Sequence, residues 1–308
     1  MTKKTKHRYR IRNWQHYNKA LVERGSLTLW IDSRATETWL DQDSPTRRGR
    51  RRTYTDAAIR CALLIREVYH LPLRSTQGLV HSILHLMRVE LPSAHYSTLS
   101  RRARTLELSL ASSHKRIKHL VIDSSGLKVY GEGEWKVRTH GKAKRRTWRK
   151  LHISMEAATH QLTAALITDK DVLDRNALPE LLEQSTTEIE RVCADGAYDF
   201  EQCYRAIKKH EAVALIPPRR DAIVRGKSPF ESRDENVRGI RKFGRKGWKR
   251  RCGYHRRSLV ETAFFRLKTI FSERLRSRRN DTQAVEARIR CVALNRMTSL
   301  GMPDSYAI

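Results

Sequence analysis

Five residues, His119-Leu120-Val121-Ile122-Asp123, constrain the fold more than any other stretch. An apolar, β-branched run that ends in an acid and is followed by Ser124, Ser125 and Gly126 reads as a buried central strand, which needs packing on both faces. The chain beyond supplies it. Leu151 to Ala157 and Leu162 to Thr168 alternate as strands around Thr159-His160-Gln161. Asp174 or Asn176 opens a helix through Leu178, Leu181 and Leu182, and Glu190 to Ala194 is a strand running into Asp195-Gly196. Phe200 to His210 is a helix with Cys203, Tyr204 and Ile207 inward, and Val213 to Ile216 is a strand stopped by Pro217-Pro218. Leu127 to Tyr130 and Trp135 to Arg138, joined by Gly131 to Glu134, read as a hairpin added after the first strand. Strands interleaved with helices predict an α/β domain over residues 116–308.

Residues 1–115 read differently, as a helical N-terminal region. Trp14 to Val22 is a short amphipathic segment ended by Gly25. Ser44 to Arg52 is a basic linker without periodicity. Thr55 caps a helix to about Tyr69, broken by Leu71-Pro72-Leu73; Ser75 caps the next, and Ser97 the third, which runs through Arg101, Arg102 and Leu106. Three short helices, the last rich in arginine, resemble a helix-turn-helix arrangement whose third helix enters a major groove, with Arg101 and Arg102 as DNA contacts. A plain bundle with a solvated arginine face is the competing reading.

Charge decides between partners. The chain carries 63 Lys and Arg against 33 Asp and Glu, a formal net charge of +30 over 308 residues. A phosphate-bearing partner, meaning double-stranded DNA, is the first reading. No stretch approaches the roughly 20 apolar residues of a membrane helix, and no apolar run follows the basic N-terminus as in a secretory signal. Five scattered cysteines without a C-x-x-C pair disfavour both a disulfide framework and a thiolate zinc site, which fits a reducing, cytoplasmic, nucleoid-associated setting. His81 and His85 share a helix face, but no third ligand is evident, so no histidine is assigned to a metal. Lys136 to Lys150 holds eight Lys and Arg and no acid. It reads as a phosphate-tracking loop, with Lys144, Arg145 and Arg146 as contacts.

The chemistry concentrates in Tyr254 to Lys268, YHRRSLVETAFFRLK. Read as one helix, it places Tyr254, Arg257 and Lys268 within about 40° of the direction of Glu261, beside an apolar stripe of Val260, Ala263, Phe264, Leu267 and Phe271. Arg241 to Arg278 contains fourteen Lys and Arg and two acids, so Glu261 is nearly alone in a positive field. Asp123 ends the first strand and Asp195 follows the fourth. Three carboxylates from separate elements, meeting at one sheet edge, can hold hard divalent ions beside a phosphodiester. Each acid has a plainer role: Asp123 in a turn with Ser124 and Ser125, Asp195-Gly196 as a turn, Glu261 paired with Arg257. Asp199 competes with Asp195 but is better explained as the cap of the next helix, and Asp171, Asp174 and Glu156 are weaker rivals.

Tyr254, Arg257, Glu261 and Lys268 match the Tyr-(2)-Arg-(3)-Glu-(6)-Lys pattern of bacterial insertion-sequence DDE transposases. VIDSSGLKVYGEGEW around Asp123 and ADGAYD around Asp195 resemble the aspartate motifs of the insertion sequence five family. WQHYNKALVERGSLTLW, LPLRSTQGLVHSIL and YSTLSRR extend the resemblance over essentially the whole chain. It implies a ribonuclease-H-like catalytic domain, a mixed five-stranded sheet with helices, behind an all-α DNA-binding region. It further implies Asp123, Asp195 and Glu261 as the catalytic, metal-binding triad, and Mg²⁺, or Mn²⁺ in its place, as two ions. Lys268 and Arg257 become phosphate contacts and Tyr254 a stacking or hydrogen-bonding group. Cutting two element ends implies a homodimer or higher oligomer on DNA. Glu261 lies 66 residues after Asp195, so residues 217–252 read as an insertion or long loop, with Trp248 stacking on a base and a helical tail to follow. A non-catalytic basic DNA binder, or a ribonuclease-H-type nuclease without joining activity, shares parts of these features.

Overall fold

The computed structural model describes residues 9–31, 33–42, 52–110, 116–129, 148–185 and 187–308. The first short helices are α1 (Trp14–Glu23), α2 (Leu27–Trp30) and α3 (Ser33–Glu37). Helix α4 (Asp56–Val68) begins where the sequence places it, the Thr55 hydroxyl accepting the Ala58 amide at 3.3 Å. Helix α5 (Leu73–Leu86) starts directly behind Pro72, two residues before the expected Ser75 cap. Helix α6 (Tyr96–Arg102) is capped by the His95 ring rather than Ser97 and stops short of Leu106. Nor is the N-terminal region purely helical: strand β1 (Tyr9–Ile11) pairs antiparallel with the last strand (Ser305–Ala307).

The central sheet follows the order expected, with one large difference. The first long strand, β3, spans Leu120–Val129 without a break, so Asp123 sits within a strand and Ser124-Ser125-Gly126 make no turn. An antiparallel partner explains this. Strand β4 (Trp148–Glu156) pairs with β3 from Leu120 through Lys128, and the ladder satisfies the backbone that a turn would otherwise bend away. Strand β5 (Leu162–Asp169) extends β4 antiparallel; β7 (Arg191–Cys193) and β8 (Val213–Leu215) run parallel on the other side, giving the order β5-β4-β3-β7-β8. A sixth strand, β9 (Arg274–Leu275), pairs with the far end of β3. Two short strands, β2 (Arg116–Ile117) and β6 (Glu188–Ile189), pair with each other beside it. The expected hairpin partner at 135–138, and Lys144, Arg145 and Arg146, lie outside the described residues.

Helices cover both faces. On one face α7 (Asp174–Glu183) and α8 (Glu201–Lys209) bury Leu178, Leu181, Tyr204 and Ile207 against Ile122 and Val192. On the other, α10 (Leu259–Phe271) and α11 (Asn280–Leu300) close over Val121, Leu127 and Ile153. Helix α4 packs on α11, and one apolar core continues from Ile59 and Leu64 into Leu294 and Val121. This is the mixed α/β plan of a ribonuclease-H-like domain, with the N-terminal helices fused to its core.

The supposed insertion loop holds a helix, α9 (Glu231–Cys252), kinked at Gly244 and ended by Gly253 at φ 72°. Its apolar pattern is thin because it docks through polar groups. Asp234 accepts the amides of Arg225 and Gly226 at 3.0 and 2.8 Å, and Asn236 donates to the Ala214 carbonyl at 2.8 Å.

Candidate active site

Strand β3 aims successive side chains at opposite faces. Asp123 and Ser125 face α10, and Ser124 faces α7, as their partners show: the Arg257 guanidinium donates to Asp123 at 3.0 Å, Lys268 donates to the Ser125 hydroxyl at 2.7 Å, and Ser124 donates to Asp174 at 2.9 Å. Parallel register sets Val121 opposite Cys193, so Asp195, two residues past β7, comes level with Asp123. The Asp195 carboxylate accepts the Ala197 amide at 2.8 Å and opens the 3₁₀ turn Gly196–Tyr198.

Glu261 comes from the opposite side. Tyr254 to Lys268 is not a single helix: Tyr254–Ser258 is a 3₁₀ turn, and α10 starts at Leu259 with Glu261 in its first turn, where the helix dipole favours an acid. The turn swings Arg257 inward. Its guanidinium donates to Glu261 at 2.5 Å and to Asp123 at 3.0 Å, so one cation ties two of the three acids together. Glu261 stays open, its side chain 59 % exposed, whereas that of Asp123 is 17 % exposed. Burial pushes the Asp123 carboxyl above the usual range. The charges of Asp195 and Glu261 add to that, while the Ser124 amide, donating at 2.9 Å, and Arg257 work against it.

Among the described residues no three His, Cys, Asp or Glu side chains stand close enough to hold one ion. The Arg257 guanidinium fills the place between Asp123 and Glu261. The donor set nevertheless suits a hard divalent cation: all three side chains offer carboxylate oxygens, and two of them already share a positive charge.

Lys268 and Arg257 therefore sit within the site. Tyr254 does not stack outward: it is buried, its ring tilted 37° against Trp248 with centroids 5.3 Å apart, and burial pushes its phenol up to about 12. Trp248 is 4 % exposed and donates to Asn236 at 3.1 Å, so it is a core residue and not a free base-stacking platform. In α6, Arg101 faces solvent, but Arg102 turns inward to Asp56 and to the Tyr54 carbonyl at 2.7 Å. Asp199 does not cap α8; it pairs with Arg233 at 2.9 Å and accepts the Tyr204 hydroxyl at 2.8 Å, both largely buried. Ser125, which holds Lys268, escapes notice when the segment is read as a turn. Strand alternation two residues from Asp123 is the signal that finds it.

A family model described as a transposase DDE domain matches residues 114–296, more than half of the chain, and a second with the same description matches residues 22–132. The chain belongs to the DDE transposases. Membership brings with it polynucleotidyl-transferase chemistry, DNA as the substrate and a general use of divalent ions. No helix among the described residues is long and apolar enough to cross a membrane.

Proposed function

We propose that this chain is a transposase of the insertion sequence five family, which binds the terminal inverted repeats of its element, cuts a strand at each end and joins the freed end to target DNA. What supports the reading is Arg257 spanning Asp123 and Glu261, together with the parallel register of β3 and β7 that brings Asp195 level with Asp123. These carboxylates would hold two Mg²⁺ ions, or Mn²⁺ in their place, and the ions supply Lewis-acid polarisation of the scissile phosphate and neutralise charge in the transition state.

The chain's own groups do the rest. Asp123 is held rigid by the Ser124 amide, Asp195 by the Ala197 amide, so both are oriented before DNA arrives. Arg257 and Lys268 present cations on the same face, where they can meet phosphate oxygens when the strand enters. Cleavage adds the oxygen of water to phosphorus and releases the 3′ oxygen as a hydroxyl, leaving a 5′ phosphate. That hydroxyl then attacks a target phosphodiester, forming one bond and releasing one 3′ end, so no external energy source is needed. The net charge of +30 and the exposed Arg101 support DNA binding outside the site. Action on two ends favours a dimer or higher oligomer.

Asp123→Asn, Asp195→Asn and Glu261→Gln are each expected to lower strand transfer by about a thousandfold or more, a loss of at least ~4 kcal/mol of transition-state stabilisation. Binding to terminal-repeat duplex in a gel-shift assay should change little. Normal strand transfer by any one of them removes that acid from the triad, and nicking without joining makes the chain a nuclease.

A further inference from the structure

We propose that Asp174 is a positioning residue for Asp123, acting through Ser124 from the opposite face of the sheet; this rests on the reading of Asp123 as a metal-binding acid. Ser124 is the link. Its amide donates to Asp123 Oδ1 at 2.9 Å, and its hydroxyl donates to Asp174 Oδ1 at 2.9 Å. One residue therefore joins an acid on the α10 face of β3 to an acid on the α7 face.

Asp174 has a plainer explanation, since it lies in the first turn of α7 where any acid is favourable. Its bonds are spent elsewhere. Among the described residues its hydrogen-bond donors are Ser124 and, at 3.1 Å, the Lys150 ammonium; none is an amide of its own helix. Lys150 is itself fixed by the Val172 carbonyl at 2.9 Å, so Asp174 carries a built-in counter-charge. His152, directly across the ladder from Ser124, is fully buried, and its Nδ1 lies 3.8 Å from the same carboxylate oxygen with no hydrogen-bond partner. The Tyr198 phenol, in the turn that Asp195 opens, is 1 % exposed and likewise without a partner. Burial, then the charges of Asp174, Asp123 and Asp195, push it up, so it stays neutral. Two strands, a helix start and the Asp195 turn thus converge on Asp174, more than a helix end requires. Groups that hold a metal ligand's partner commonly tune the site about 10–100-fold.

The test compares the full-length chain with Asp174→Ala, Asp174→Asn, Ser124→Ala and the Asp174→Ala/Ser124→Ala double variant. Mn²⁺ binding is measured by titration calorimetry, and single-turnover cleavage is measured on an element-end duplex. Asp174→Ala should weaken Mn²⁺ binding and slow cleavage by about 10–100-fold with KM for DNA unchanged. Asp174→Asn, whose amide oxygen still accepts from Ser124, should recover part of the loss, and the double variant should be no worse than the worse single one. Wild-type Mn²⁺ affinity and rate in Asp174→Ala overturn the proposal. So do strictly additive losses, or an Asn variant no better than Ala with both melting early. If Asp174→Ala does not fold, the Asn and Ser124→Ala variants decide. Asp123→Asn separates the two readings: if it binds Mn²⁺ and cleaves normally, the role of Asp123 itself fails; if it is inert while Asp174→Ala is normal, only the role of Asp174 fails.

Discussion

His152 shows how much one enclosed side chain can govern. Its Nε2 meets the Thr168 hydroxyl at 2.8 Å, and burial holds its pKa down to about 4, with Asp174 pulling upward and Lys150 downward. Above pH 6.5 the imidazole is neutral both folded and unfolded. As pH falls from 6.5 to about 4, the unfolded chain takes up a proton that the fold refuses, so stability is lost across that window, by up to about 3 kcal/mol. His119 and His160 are lowered by burial too and act in the same direction. The urea midpoint should therefore drop between pH 7 and pH 4.5, and less steeply in His152→Gln; equal slopes would contradict the burial argument. The acids of the candidate site were legible, Glu261 because it stands nearly alone in a basic stretch, Asp123 and Asp195 because each ends or follows an apolar strand. Their partners were not. Trp248 reads as an exposed aromatic in a basic stretch, and only tertiary packing against Gly239, whose added Cβ would lie 3.0 Å from its ring, shows it to be core.

At the scale of elements, the strands and helices with clear apolar periods stand where the sequence puts them, α8 and β8 within a residue or two. Elements built on polar contacts were missed. Helix α9 buries Arg233, Asp234 and Asn236 alongside Val237 and Trp248, a mixture with no hydrophobic period to read. Strand β3 was cut short because Ser-Ser-Gly is turn chemistry in isolation, and only its long pairing with β4 overrides that. Glycines offer a matched test. Gly244 sits at φ 67°, ψ 162°, a region essentially closed to L side chains, with open space around it. Gly244→Ala should cost about 1–3 kcal/mol from backbone strain alone. Gly78, exposed within α5 and equally open, should gain about 0.5–1 kcal/mol on the same substitution. Thermal melts of the two variants should move in opposite directions, and shifts of the same sign would refute the kink geometry.

Across the whole molecule, the N-terminal helices and the catalytic sheet are joined by charge as well as by oil. Glu67 of α4 is 1 % exposed and accepts from Arg276 at 2.7 Å and Arg290 at 2.9 Å, while Arg290 also pairs with Glu286 at 2.5 Å. Removing one partner of such a network strands a buried charge, so Glu67→Ala should cost about 3–5 kcal/mol. Fluorescence and circular dichroism should still report one coincident unfolding transition. Two separated transitions in the parent chain would mean that the halves fold independently. Nothing in the sequence announces this seam, since Glu67 lies more than 200 residues from both Arg276 and Arg290 and each looks like ordinary surface charge. The acid set into α4 has an evolutionary corollary. Recombination that swapped the front third of this chain for a cousin's would yield a stable hybrid only if the donor brought its own carboxylate to that spot. Exchange of parts is thereby restricted, and the front helices are left to vary by point substitutions on their outer surfaces.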